Sequence, residues 1–70
     1  MYFIGVDHHK QASQLTVLAE DGRELKTGRV FNLRQELDRF LKGYHPFRAV
    51  IEAGRSSYVM VDLLRELGAR

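Results

Sequence analysis

The sequence predicts an α/β domain with the element order β-β-β-α-β-α and a mixed sheet. Three observations predict it. Runs rich in β-branched and aliphatic residues at Tyr2–His8, Ser13–Glu20, Arg23–Phe31 and Phe47–Ala53 read as strands. Asp21-Gly22 between the second and third runs is a strong hairpin signal, so the first three strands form an antiparallel meander. Two other stretches, on either side of the fourth run, place apolar residues at helical spacing. A helix between the third and fourth strands implies a right-handed crossover, which sets the fourth strand parallel to the first.

Each element has its own justification. In the first strand Tyr2, Ile4 and Val6 share one face while Phe3, Gly5 and Asp7 share the other. Apolar groups on both faces indicate a central strand. Gly5 leaves the backbone bare, so a ligand can approach the sheet closely there. Asp7 either marks the rim of the sheet where ligands of α/β proteins bind, or simply opens a turn. His8 to Gln11 form a polar connector. The third strand carries Arg23, Lys26, Thr27 and Arg29 and is expected at the sheet edge, where charge discourages association. Asn32 is expected to cap the first helix, with Gln35 completing a capping box. Leu33, Leu37, Phe40 and Leu41 form its apolar stripe, and Gly43 ends it, with Pro46 beyond. The second helix starts after a cap at Ser56 or Ser57 and presents Tyr58, Val61, Leu63, Leu64 and Leu67. Gly68 stops it, and Arg65 suits the negative end of its dipole.

Composition narrows the class. The chain has 70 residues, 44% hydrophobic and 29% charged, which describes one small folded domain rather than a disordered segment. A domain of this size buries only about 60% of its unfolded surface, so a partner is expected to help stabilise it. Cysteine is absent, which excludes disulfides and thiolate metal sites. The net charge of +2 is compatible with nucleic acid without arguing for it. No apolar run is long enough to span a membrane, and no signal-peptide pattern opens the chain; a cytoplasmic protein is expected.

The chemistry centres on two carboxylates. The fourth strand ends in Glu52 as the first ends in Asp7, and parallel neighbours would bring both acids to one rim. Such a pair repels itself unless a proton or cation lies between, and a hard divalent ion such as Mg²⁺ resolves the conflict. Two such ions clamp phosphodiester chemistry elsewhere, but that clamp usually draws on three or four carboxylates. Asp62 and Glu66 lie on the second helix, and nothing in their spacing turns them toward the rim. The competing reading has Glu52 capping the helix or pairing with Arg55. His8 and His9 point oppositely on an extended chain and do not grip one ion, which disfavours zinc. Lys10 either neutralises a phosphate near Asp7 or is simply solvated. Gly54-Arg55-Ser56-Ser57 either binds an anion at a helix N-terminus or is an ordinary loop and cap; it lacks the Walker ending. Ser56 and Ser57 have no visible base partner.

Ile4-Gly5-Val6-Asp7-His8-His9-Lys10, then Phe31-Asn32, then Val50-Ile51-Glu52-Ala53-Gly54 with Tyr58 and Leu63-Leu64, together resemble the start of a DEDD transposase. This is the bacterial insertion-sequence family, IS one-ten group, with a RuvC-like catalytic domain. The resemblance covers essentially the whole chain. It implies a ribonuclease-H-like fold, with Asp7 and Glu52 as the first Asp and the Glu of the metal-binding set, ligands for Mg²⁺ or Mn²⁺. It further implies DNA as a partner of the full protein, and a guide RNA in some members. Lys10 matches the motif lysine, and Lys10 and Arg55 are candidate nucleic-acid contacts. The chain stops before the last two Asp residues and the C-terminal domain with its serine, so the expectation is half a catalytic domain, inactive alone, with weak metal binding. An exposed fourth strand is expected to pair two copies, edge to edge or by element swapping. Two readings from other classes compete. One is a sugar-kinase or actin-like phosphate-binding domain, although His8-His9-Lys10 is a poor substitute for its glycine- and hydroxyl-rich turn. The other is a non-catalytic dimerisation module.

Overall fold

Strand alternation decides the architecture. The computed structural model describes residues 1–51 and 57–69, with the backbone alone at 57–59. Its elements are β1 (Tyr2–His8), β2 (Ala12–Leu18), β3 (Glu24–Phe31), α1 (Arg34–Leu41), β4 (Phe47–Ile51) and α2 (Ser57–Glu66). The strands form one mixed sheet in the order β3-β2-β1-β4. β1 pairs antiparallel with β2 and parallel with β4, and β2 pairs antiparallel with β3. The α/β class, the meander, the central β1 and the parallel return of β4 are therefore as the sequence reading has them.

Both helices cover the same face of this sheet. Ile4 and Val6 of β1, Leu15 and Val17 of β2, Val30 of β3 and Phe47 of β4 form one buried cluster with Leu37 and Leu41 of α1 and Met60 and Leu64 of α2. Leu67, just past α2, closes it. Arg34 of α1 reaches Glu66 of α2 at 3.3 Å and ties the helices together at the surface. Phe40 lies over β3, and the Lys26 ammonium sits 4.1 Å above its ring while donating to the Phe40 carbonyl at 3.0 Å. That places a cation on one of the last carbonyls of α1, where the helix dipole favours it.

The β2–β3 connection, residues 19–23, closes a three-residue turn between Ala19 and Arg23. Gly22 N–H donates to the Ala19 carbonyl and Ala19 N–H to the Arg23 carbonyl, both at 2.9 Å. Gly22 has φ +88°, the left-handed conformation this bulged turn demands, so the glycine of the Asp-Gly pair is required and not incidental. Beyond the core, Phe47 of β4 makes an isolated parallel bridge to Ala69 on the side away from β1. The chain leaving α2 thus returns to the outer edge of β4.

Asn32 is a correction. The N-cap of α1 is Leu33, which makes no side-chain capping bond, and the helix starts at Arg34. Leu33 is accordingly outside the apolar stripe and 61% exposed. Asn32 is drawn away from the helix by the β1–β2 connector, where it finds three carbonyl partners.

Candidate functional site

The face opposite the helices carries the other set of alternating side chains. Asp7 of β1 stands opposite Gln14 of β2, which stands opposite Arg29 of β3, giving one row across the sheet. The next row is Val50, Gly5, Thr16 and Thr27. Here Gln14 donates to Thr27 Oγ1 at 3.1 Å, Thr27 donates to the Leu15 carbonyl at 3.1 Å, and the two threonine hydroxyls lie 3.2 Å apart. A hydroxyl and amide ladder is suited to water or a polar ligand rather than to an apolar layer. Among the described residues no helix covers this face.

Asp7 stands one residue before the end of β1, at the rim the sequence reading gives it, on the open face. Its carboxylate lies 3.3 Å from His9 Nε2, with both side chains more than half exposed. A pair so wet contributes little to stability. Gly5 lies beside Asp7 on the same face, and a Cβ built there would find only the Thr16 carbonyl oxygen, at 4.0 Å. The space above the sheet next to Asp7 is open, as a close-approaching ligand needs. Glu52 and Arg55 lie outside the described residues, as does the Gly54-Arg55-Ser56-Ser57 loop apart from the backbone of its last residue. The last described pair of the parallel ladder is Val6 with Ile51. Among the described residues no group of three acids or histidines is placed to hold a metal ion. Asp62 is exposed on α2, and Glu66 is engaged by Arg34.

The connector behind Asp7 is held by a network that the sequence did not reveal. Asn32 Nδ2 donates to the His9 carbonyl at 2.6 Å and the Lys10 carbonyl at 3.3 Å, and Asn32 N–H donates to the Gln11 carbonyl at 2.9 Å. Its amide nitrogen is committed, so its Oδ1 accepts, and Ser13 Oγ donates to it at 2.6 Å. Ser13 is fully buried. With its proton spent on Asn32, Ser13 accepts from His8 Nδ1 at 3.0 Å, which assigns the Nδ1–H form to His8 in this contact. His8 thus packs on the helix side of β1 while Asp7 faces the open side, so the two are not one ligand set. His9 and Lys10 follow on the connector, beside Gln14 and Arg29.

Among the described residues no helix is long and apolar enough to cross a membrane. No family model matches the sequence, and no curated protein matches it either.

Proposed function

We propose that this chain is the N-terminal part of a ribonuclease-H-like catalytic domain of a DEDD-type, RuvC-like transposase. In that reading Asp7 and Glu52 hold a divalent cation, Mg²⁺ or Mn²⁺, for cutting and rejoining DNA. The observation that supports it best is the placement of β1. It lies between an antiparallel meander and a parallel β4, and it delivers Asp7 to the rim where β4 also ends. The last described pair of that ladder is Val6 with Ile51, and this reading takes Glu52, outside the described residues, as the partner of Asp7. The isolated parallel bridge from Phe47 to Ala69 supports the reading in a second way, because the outer edge of β4 accepts a parallel backbone there.

In this reading the acids repel until a cation joins them, and the cation orders the oxygen atoms of a scissile phosphate. DNA is the substrate, and a guide RNA a partner of the whole protein. The rest of the outer edge of β4 is where a second copy would add, edge to edge or by exchange of an element. Light scattering that stays monomeric at high concentration would count against that dimer.

The test is a thermal melt with and without millimolar Mn²⁺, for the native chain, Asp7→Asn and Glu52→Gln. A metal at 100 times its Kd stabilises by about 2.7 kcal/mol, a large shift for a domain of this size. Loss of that shift in both variants supports one shared site. No shift in the native chain removes the metal reading and favours the acids as structural groups.

A further inference from the structure

We propose that the groove between the β1–β2 connector and the end of β3 is a phosphoryl-oxyanion site, with Lys10 and Arg29 as its cationic walls and Asn32 as the residue that fixes its shape. The groove has a volume of about 550 Å³ and is lined by Asp7, His9, Lys10, Gln14 and Arg29 among others. Asp7, Gln14 and Arg29 are cross-strand neighbours, so Asp7 and Arg29 are separated by two strand spacings, about 10 Å. Gln14 stands between them, its amide donating to Thr27 Oγ1 at 3.1 Å, and no ion pair closes the gap.

Among the described residues Lys10 and Arg29 lack a carboxylate partner, as do Arg23, Lys42, Arg48 and Arg65, so the free charge alone does not set this place apart. What separates it from an ordinary charged surface is that the backbone carrying Lys10 is held in place by hydrogen bonds. Asn32 takes the carbonyls of His9, Lys10 and Gln11, and the buried Ser13 locks the Asn32 amide in turn. An asparagine in position to cap a helix has instead been spent on holding three connector carbonyls. A loop held this tightly presents its side chains to a ligand at low entropic cost. Cations, an amide donor and a bare glycine backbone nearby suit phosphate oxygens, whether of a polynucleotide backbone or of a small phosphate ligand. Asp7 opposes an anion at this place. The site therefore needs its two cations together.

The site requires no metal, so it is testable apart from the metal reading. Amide resonances of the whole chain are followed by NMR at low salt with EDTA present, during titration with inorganic phosphate and, separately, with a short oligothymidylate. Saturable shifts at His9–Gln14 and Arg29 are expected. Lys10→Gln and Arg29→Gln are each expected to weaken binding about tenfold, the worth of one charge-assisted contact. Arg48→Gln removes the same charge from β4 and is expected to change affinity less than about twofold, within the range of long-range screening. Asp7→Asn is expected to tighten binding under these conditions. Asn32→Ala loses both Nδ2 bonds without adding a charge; faster hydrogen exchange at Lys10 and Gln11 with weaker binding is expected well below its melting temperature. A purely structural Asn32 would lower the melting temperature and leave affinity unchanged. Response to phosphate alone would identify a small phosphate ligand, and response only to the oligonucleotide a polymer backbone; either keeps the site. No saturable response to either probe, or equal losses in Arg29→Gln and Arg48→Gln, would overturn it.

Discussion

The two faces of the sheet are drawn from the same four strands, residue by residue in alternation, yet they do opposite work. On the helix side Ile4, Leu15, Val17 and Phe47 are completely buried. On the other side Asp7, Gln14, Thr27, Arg29, Arg48 and Val50 are all exposed. Stability belongs to the first set, because apolar area removed from water is the dominant favourable contribution. The second set is free of that duty and carries the groups with chemistry. The comparison teaches that substitutions one residue apart on a strand should differ by several kcal/mol in cost.

Phe47→Ala should have the largest effect. Deleting a fully buried aromatic costs about 3–5 kcal/mol, roughly half of the total of about 4–10 kcal/mol for a chain this long. Urea denaturation should show a loss of that size; a loss under about 1 kcal/mol would mean the core is not where the burial places it. Next in size is Ser13→Ala, which removes the buried hydroxyl that His8 Nδ1 and the Asn32 amide oxygen share and should cost about 1–3 kcal/mol. A neutral result there would show that the connector is not held by this network. On the open face Thr16→Ala should move stability by no more than about 0.5 kcal/mol. Gly5→Ala should be neutral or stabilising by up to about 1 kcal/mol, since strand backbone accepts alanine and the new Cβ has room. A large penalty at either site would mean the open face is structurally committed after all.

The smallest effect lies at the hairpin end, away from both faces. The N-terminal ammonium donates to Glu20 at 2.7 Å and holds its carboxyl below the usual carboxylate range, first by that hydrogen bond and then by its charge. A folded value lowered in this way stabilises the protein above the unfolded carboxylate range. That stability is lost as pH falls through the lowered value. Glu20→Gln should flatten this part of the acid-side profile slightly, as read from melts at neutral and acidic pH. A steeper acid profile in the variant would contradict the assignment.

Much of this arrangement is legible in the sequence, for reasons that particular residues make clear. Tyr2–His8 carries apolar groups on both faces, which shows a central strand with Asp7 near its end. Asp21-Gly22 encodes its own turn, and Arg29 with Lys26 betrays an edge. The misses have physical causes too. Asn32 precedes a helix and satisfies every local requirement of a cap, while the carbonyls it takes instead are 21 to 23 residues earlier in the chain. Only tertiary structure sets that competition. On and just past α2 the buried positions are Met60, Leu64 and Leu67; the sequence reading has the last two and lacks Met60, and the Tyr58 side chain lies outside the described residues. Apolar residues fall on several sides of that helix, so spacing alone leaves its rotation open. Arg29 reads locally as an edge charge, and its alignment with Gln14 and Asp7 needs the strand register.

Paramagnetic broadening by Mn²⁺ tests most directly whether the open face holds a cation at the Asp7 rim. Added in small amounts to the isotope-labelled chain, the ion should first erase amide resonances of Val6–His9, Gln14 and the residues around Glu52. Those of Glu20–Glu24, at the opposite end of the meander, should stay sharp, and Glu52→Gln should restore the erased signals. Broadening that centres on His45 or spreads evenly over exposed carboxylates, or that survives both Asp7→Asn and Glu52→Gln, would contradict a cation site shared by the two strand ends.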